Sequence, residues 1–255
     1  MKVVSVLSAK GGSGASLVAT NLGVLLASHS DCILVDLHTA LGYDELLLDL
    51  TPERSWADLL PVAEELTPRH LELALVTHSS GLRFIAAPER WLGGLDENTL
   101  LSLLEALAQQ ASWLILDVPV GLEGITSHVL TISDVLLLVT TADPPALRAA
   151  GRLLKALPDG LGDKTRLVLN QITRRHPAKP REVAASLGVA LLATLPPDPR
   201  AVGYQVNFGR PCVLDRRSSL GRAIGMLARR LATTVAQRKR RVEGPPSKAT
   251  AALEN

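Results

Sequence analysis

The segment "AKGGSGAS" at residues 9–16 combines glycines with a hydroxyl residue in an order that can bind phosphate. Gly11, Gly12 and Gly14 allow the backbone to curl with its N–H groups pointing inward. Such amides, together with the N-terminus of a following helix, form an anion site that needs no side-chain charge. The hydroxyl of Ser16 is a ligand that Mg²⁺ accepts. The segment therefore predicts a phosphate-binding loop with a magnesium ion, and a glycine-rich turn without a ligand is the alternative.

This loop departs from the general phosphate-loop pattern G-x-x-x-x-G-K-[ST] at two positions. Gly14 and Ser16 match the pattern, whereas Ala9 replaces its first glycine and Ala15 replaces its lysine. Without the lysine, the β- and γ-phosphates lack a point charge that assists phosphoryl transfer. We expect the backbone amides and Mg²⁺ to retain nucleotide binding. Hydrolysis should be slower by about 10²-fold or more, as when a single stabilising donor is lost.

Polar residues stand at the ends of apolar runs further along the chain. Asp117 ends "WLILD", where an unpaired carboxylate would be costly, so a ligand role is favoured. Asn170 ends "LVLN" and is either a ligand contact or a turn residue at a strand end. Asp44 precedes "ELLLDL" and is interpreted as the N-cap of a short helix, with a contact at a switch or dimer face as the alternative.

Continuous apolar runs alternate with helical patterns, which is typical of strands buried on both faces of a parallel sheet. The predicted strands are residues 2–8, 32–36, 82–87, 113–118, 135–141, 165–171 and 189–195. The predicted helices are residues 16–28, 97–110, 145–157, 180–187 and 218–238. This order predicts an α/β fold with a doubly wound, mostly parallel sheet flanked by helices, in which ligands bind at the carboxyl ends of the strands. We expect one domain over residues 1–241.

The loop resembles the deviant Walker A sequence K-G-G-x-G-x-[ST] of the ParA/MinD family of P-loop ATPases. The resemblance implies ATP and Mg²⁺ as cofactors and an ATP-dependent homodimer, in which Lys10 reaches the phosphates of the nucleotide bound by the partner subunit. It also implies that Lys10 and Asp36 are the catalytic residues. The loop residues that would bind the nucleotide are Lys10, Gly11, Gly12, Ser13, Gly14, Ala15, Ser16 and Leu17.

The resemblance continues in order along the chain, from residue 2 to about residue 235. "CILVDLHTALGYDELLLDL" is similar to the second strand and switch I of the family, which implies that Asp36 holds the water shell of Mg²⁺. "WLILDVPVG" is similar to Walker B and switch II, which implies that Asp117 is an acid beside the metal. Ser16 joins these two as the third implied metal residue.

Two further segments resemble the part of the family that binds the base. "LVLNQ" is similar to the base-recognition strand, which implies that Asn170 hydrogen-bonds the adenine. "ATLPPD" is similar to the loop that packs on the base, which implies contacts from Pro196 and Pro197.

Within that family, the chain resembles the CpaE/TadZ branch of pilus-assembly localisation proteins, which also includes septum-site-determining-like proteins. The segments that carry this likeness are "LGYDELLLDLTPERSWADLLP", "LTPRHLELALVTHSSGLRFIAAPE" and "NFGRPCVL". The likeness implies a nucleotide-dependent localisation or assembly factor that recruits partners of a pilus, secretion or division apparatus. His38 stands where active relatives often have a second switch I aspartate, which again indicates slow or absent hydrolysis. The alternative is that His38 orients the attacking water.

Three other functions stay open from the sequence. The first is a fully cycling partition or positioning ATPase that acts on a membrane or on DNA, against which Ala15 and His38 argue. The second is a metabolic P-loop enzyme, for which no added catalytic constellation is found. The third is a degenerate scaffold that binds no nucleotide.

The charge of the chain is unevenly distributed. The net charge is +2, yet residues 216–241 hold nine basic residues and no acidic one, which leaves −7 on the remainder. Apolar residues recur there at helical spacing, at Leu220, Ile224, Leu227 and Leu231, so we interpret this stretch as the last helix of the fold. We also expect its basic residues to make weak contact with anionic membrane or DNA.

The remaining composition excludes several classes of protein. Only Cys32 and Cys212 are present, so a disulfide framework is disfavoured and a reducing cytoplasm is expected. The resemblance to the family further implies a peripheral location at the inner membrane or the cell pole. No apolar run reaches the roughly 20 residues of a membrane helix, and "MKVVSVLS" lacks the features of a signal peptide. The tail, residues 242–255, is expected to be disordered.

Overall fold

A computed structural model describes residues 1–39, 42–90, 96–119 and 125–242. Eight strands form one sheet in the order β3-β4-β2-β5-β1-β6-β7-β8, and all neighbours are parallel except β3 and β4. The strands are β1 (Lys2–Leu7), β2 (Cys32–Asp36), β3 (Val76–Thr77), β4 (Arg83–Ile85), β5 (Trp113–Asp117), β6 (Val135–Thr141), β7 (Thr165–Asn170) and β8 (Ala190–Thr194).

Helices cover both faces of this sheet. They are α1 (Ala15–Ala27), α2 (Asp44–Leu47), α3 (Pro68–Ala74), α4 (Glu97–Gln109), α5 (Ile125–Ile132), α6 (Pro144–Ala156), α7 (Pro180–Leu187), α8 (Pro199–Phe208) and α9 (Ser219–Val242). One core cluster joins the sheet to α1, α8 and α9, and a second joins it to α3, α4, α6 and α7. The described residues also form 3₁₀ segments at Trp56–Glu65, Gly162–Lys164 and Cys212–Leu214.

The predicted doubly wound, mostly parallel sheet is confirmed. Each of the seven predicted strands is present, with ends that move by at most two residues, because the continuous apolar runs fit strands buried on both faces. The strand β3 and the helices α3, α5 and α8 were not predicted from the sequence. These elements are short, so their patterns carry little periodic signal.

The C-terminal helix α9 packs against α1 and β8. Leu220, Ile224, Leu227, Leu231 and Val235 are each at most 2% exposed, which confirms the interpretation of this stretch as the last helix of the fold. The helix ends at Val242 rather than residue 238. The predicted tail beyond it, residues 243–255, lies outside the described residues.

Two basic side chains near the end of α9 contact the protein itself. Arg238 donates to the carbonyl of Asp163, and Lys239 lies 3.7 Å from the carboxylate of Asp134. These contacts reduce the positive charge that α9 can present to a membrane or to DNA. The weak contact of this helix with anionic membrane or DNA stays a prediction. Among the described residues, every helix is too short or too polar to cross a bilayer.

Candidate functional site: a glycine loop beside buried carboxylates

The glycine-rich segment forms a loop between β1 and α1. Gly12 and Gly14 have φ angles of 78° and 90°, a left-handed conformation that residues with a Cβ rarely adopt. The Ser13 hydroxyl donates to the carbonyl of Lys10 at 2.7 Å and closes the loop on itself. Gly14 is the N-cap of α1 and has no side chain to cap it, so the first amides of the helix are left for an outside acceptor.

Asn170, at the end of β7, forms a hydrogen bond with this loop. Its Nδ2 donates to the carbonyl of Ser13 at 2.9 Å, and its Oδ1 accepts from the amide of Gln171. A Cβ placed on Gly14 would lie 2.5 Å from Asn170 Nδ2, so the close approach requires glycine. Asn170 is therefore a structural partner of the loop, and its predicted bond to the adenine stays a prediction.

Lys10 lies at the edge of the loop and is half exposed. Its Nζ is 3.6 Å from Asp143 Oδ1, and the two side chains are 49% and 42% exposed. Asp143 also caps α6 by accepting from the amide of Ala146. The lysine is accessible to solvent, as the predicted contact with a partner subunit requires.

Asp36 and Asp117 end neighbouring strands and lie opposite each other in the register of β2 and β5. Both are fully buried. Asp36 Oδ1 accepts from the amide of His38 at 3.0 Å and from His38 Nδ1 at 2.7 Å. The same ring nitrogen lies 3.9 Å from Asp117 Oδ2. The sheet thus brings together, beside the loop, two acids that are separated by 81 positions in the sequence.

Asp44 completes what we call the acidic cluster: Asp36, Asp44 and Asp117. The sequence-based prediction that Asp44 is the N-cap of α2 is wrong, because Tyr43 occupies that position. Asp44 is instead fully buried, with neither carboxylate oxygen hydrogen-bonded. Its backbone amide donates to Asp36 Oδ2 at 3.4 Å. The interpretation failed because Asp44 turns towards the other two acids rather than to the helix amides.

Burial and the neighbouring charges shift the pKa values of Asp44, Asp117 and His38. Burial raises the pKa of Asp44 well above its usual range, with the charges of Asp117 and Asp36 adding to the effect. Burial and the charge of Asp36 raise the pKa of Asp117 to about 7, although Ser16 and His38 oppose the shift. For His38, burial favours the neutral ring, but the hydrogen bond to Asp36 and the two nearby charges outweigh it and raise the pKa. Both shifts favour the protonated form of Asp44 and Asp117 in the ligand-free protein, so a cation that enters the cluster would compete with protons.

These residues fit a divalent cation. Both oxygens of Asp117, like those of Asp44, are buried without a hydrogen-bond partner, which is costly unless a ligand supplies one. The Ser16 hydroxyl is close enough to Asp117 to lower its pKa. Ser16, Asp36 and Asp117 would hold Mg²⁺, as the sequence predicts. The ion would supply positive charge next to the phosphates of a nucleotide.

The predicted base-binding prolines follow β8. The amide of Ile172 donates to the carbonyl of Leu195 at 2.9 Å, so the segment after β7 and the segment that leads to Pro196 and Pro197 lie side by side. Asp198 then caps α8 and also accepts from Ser218 and Ser219 at the start of α9.

Sequence reasoning missed two residues that support Asp36. A Cβ on Gly42 would overlap the carboxylate of Asp36 and the side chain of Ala87, so only glycine fits there. Trp56 donates from its indole Nε1 to the carbonyl of Asp36 at 2.9 Å. A glycine six positions after a strand-ending aspartate was a signal for the first, whereas no local pattern pointed to the second.

Two MinD proteins are similar to this chain in sequence over most of its length. The septum site-determining protein MinD of Synechocystis sp. is 27% identical over 240 residues, which cover 90% of this chain and 89% of that protein. The MinD of Thermotoga maritima is 25% identical over 241 residues, 90% of this chain and 87% of that protein. The chain is thus similar to MinD proteins over most of its length. No model of a protein family matches it.

Solved structures show the same MinD/ParA fold. A ParA family ATPase from Chlorobium tepidum superposes with a TM-score of 0.81 at 23% identity, over 89% of this chain and 98% of that one. MinD in a MinC:MinD complex from Aquifex aeolicus gives 0.79 at 24% identity, over 91% and 96%. MinD complexed with Mg-ADP from Pyrococcus horikoshii gives 0.72 at 21% identity, over 93% and 98%. Within this family, the CpaE/TadZ likeness stays a prediction.

Proposed function

We propose that the chain binds ATP with Mg²⁺ and acts as a nucleotide-dependent positioning or assembly factor that hydrolyses ATP slowly or not at all. One observation carries the proposal: a loop with two left-handed glycines opens its amides beside buried carboxylates that lack partners. Amides of residues 11–17 would bind the phosphates, which are anionic, and the acidic cluster would bind the cation that accompanies them.

Two features of the site support slow hydrolysis. Ala15 is buried and apolar at the position where a lysine would place its charge on the phosphates. His38 directs Nδ1 to Asp36 at 2.7 Å, so that this nitrogen is occupied by a carboxylate rather than directed at an attacking water. Binding and hydrolysis thus depend on different groups, and the chain retains those for binding.

The proposal extends to dimer formation and to the recruitment of a partner. Lys10 is half exposed and makes an ion pair with a solvent-exposed acid, and solvent screening weakens such a pair. A phosphate of a second subunit could therefore compete for it. The MinD relatives are named as septum site-determining proteins, and one neighbour is a complex with MinC. We propose that the ATP-bound dimer likewise recruits a protein of a division apparatus or, following the CpaE/TadZ likeness, of a pilus or secretion apparatus.

A matched pair of glycine variants tests nucleotide binding. Gly12 and Gly160 have φ angles of 78° and 81°, and a Cβ at either would meet no atom within 4 Å. Gly12→Ala and Gly160→Ala therefore impose the same backbone strain, about 1–2 kcal/mol, but only the former lies in the loop. We expect both to lower the melting temperature equally and only Gly12→Ala to weaken ATP·Mg²⁺ binding in calorimetry, by about tenfold.

Absence of any heat with millimolar ATP·Mg²⁺ in the unmodified chain would refute the proposal. Equal loss of ATP affinity in both variants would refute the role of the loop. A steady-state assay completes the test: several turnovers per minute without any partner would contradict slow hydrolysis.

A further inference from the structure

His38 brings a nitrogen atom to the acidic cluster. Donor atoms of Asp36, His38 and Asp117 all lie within 4.8 Å of one another. The Nδ1 atom is 2.7 Å from Asp36 Oδ1 and 3.9 Å from Asp117 Oδ2. Ligand atoms bound at about 2.0–2.2 Å to one tetrahedral metal ion are separated by about 3–4 Å. Small side-chain rotations would therefore place all three donors on one ion.

The buried carboxylates give an independent reason for a cation at this point. Asp117 and Asp44 have four side-chain oxygens without a hydrogen-bond partner, and both residues are fully buried. Lys10, the basic residue of the loop, pairs with Asp143 instead. A buried group of three carboxylates with one imidazole is stabilised when a metal ion completes it.

We propose that Asp36, His38 and Asp117 bind a first-row transition-metal ion, Zn²⁺ or Co²⁺, in the absence of nucleotide. The inference rests on the proposed function only in placing a divalent cation beside the loop. Imidazole is a ligand that suits Zn²⁺ and Co²⁺, whereas Mg²⁺ prefers oxygen ligands and gives up its water shell reluctantly. His38 Nδ1 exchanges its proton for the metal, and the neutral ring keeps its remaining proton on Nε2.

The test is a titration of the tag-free, metal-stripped chain with Co²⁺, without nucleotide and with millimolar Mg²⁺ present. We expect ligand-field absorption bands that saturate at one Co²⁺ per chain and that Zn²⁺ abolishes. The decisive variant is His38→Asn, whose amide can still donate to Asp36 but is a poor ligand; it should weaken Co²⁺ binding about tenfold or more. His70→Asn is the matched control, because His70 is partly exposed and its Nδ1 accepts from the amide of Thr67 at the start of α3.

Saturable bands that are lost in His38→Asn and kept in His70→Asn would support the site. The inference is overturned if the unmodified chain shows no bands with Mg²⁺ present, or if His38→Asn binds Co²⁺ as the unmodified chain does. Calorimetry with ATP·Mg²⁺ separates the two proposals: ATP binding without Co²⁺ binding refutes only the transition-metal site. Co²⁺ binding without ATP binding refutes only the proposed function.

Discussion

At the scale of single residues, the acidic cluster is the feature that most needs a physical explanation. Asp44 is fully buried beside two other carboxylates, and none of its oxygens is hydrogen-bonded. Such a group destabilises the ligand-free protein, because desolvation and repulsion oppose its ionisation in the folded state, whereas the unfolded chain ionises freely. Its retention is understandable if a cation enters the cluster. The cost in the free protein would then be recovered when the ion and the nucleotide bind.

Asp44→Asn should stabilise the protein when no divalent cation is present. The amide has the shape of the carboxylate without its charge, so we expect the free energy of unfolding to rise by about 1–3 kcal/mol. Chemical denaturation with and without Mg²⁺ measures this, and added Mg²⁺ should stabilise the variant less than the unmodified chain. Asp31→Asn, at an exposed position, should change neither value. A less stable Asp44→Asn protein in the absence of metal would contradict the argument.

At the scale of elements, one turn at the edge of the sheet contains a buried histidine. The turn between β3 and β4 depends on His78, which is 7% exposed. Its Nδ1 accepts from the amide of Ser80 at 3.1 Å and lies 2.8 Å from the Ser80 hydroxyl. The hydroxyl in turn accepts from the amide of Leu82. The ring must therefore be neutral, with its proton on Nε2.

This turn should make stability depend on pH. Burial lowers the pKa of His78, although Asp49 opposes the shift. Because the folded protein then binds this proton less readily than the unfolded chain, the contribution is fully present above about pH 6.5 and is lost as pH falls through the lower, folded pKa. His78→Asn keeps an acceptor for the amide of Ser80 but does not titrate.

Denaturation midpoints between pH 7.5 and about 5 measure the effect. The unmodified chain should lose more stability over this range than His78→Asn does. Parallel curves for the two proteins would show that His78 contributes nothing to the pH dependence.

At the scale of the whole molecule, the proposed function depends on a second copy of the chain. The structure of a single subunit does not assign a role to Lys10. This lysine lies at the loop, is half exposed and forms an ion pair with Asp143. If it binds phosphates across a dimer, ATP should convert monomers into dimers, and the conversion should require this lysine.

Lys10→Ala is therefore expected to remain monomeric with ATP and Mg²⁺ at concentrations where the unmodified chain doubles its mass, as measured by light scattering. Lys179→Ala removes a lysine of another exposed ion pair, with Glu182 at 3.0 Å, and should dimerise normally. Dimers of Lys10→Ala that form as readily as those of the unmodified chain would remove the lysine from the interface.

The amino-acid sequence alone is enough to predict the order of the elements and the position of the loop. Continuous apolar runs need burial on both faces, glycines at 12 and 14 permit left-handed backbone, and a parallel sheet places the ends of β2 and β5 at one edge. These properties are local or follow from topology, so Asp36 and Asp117 could be predicted to meet.

Only the tertiary structure shows which side chains form hydrogen bonds with distant residues and which ones lie together. Asp44 turned away from its helix into the acidic cluster, Asn170 bound the carbonyl of Ser13, and Trp56 bound that of Asp36. Asn170 and Ser13 are 157 positions apart. Contacts between such distant positions depend on how the packed elements align to within about an ångström, and no periodicity or local motif encodes that alignment.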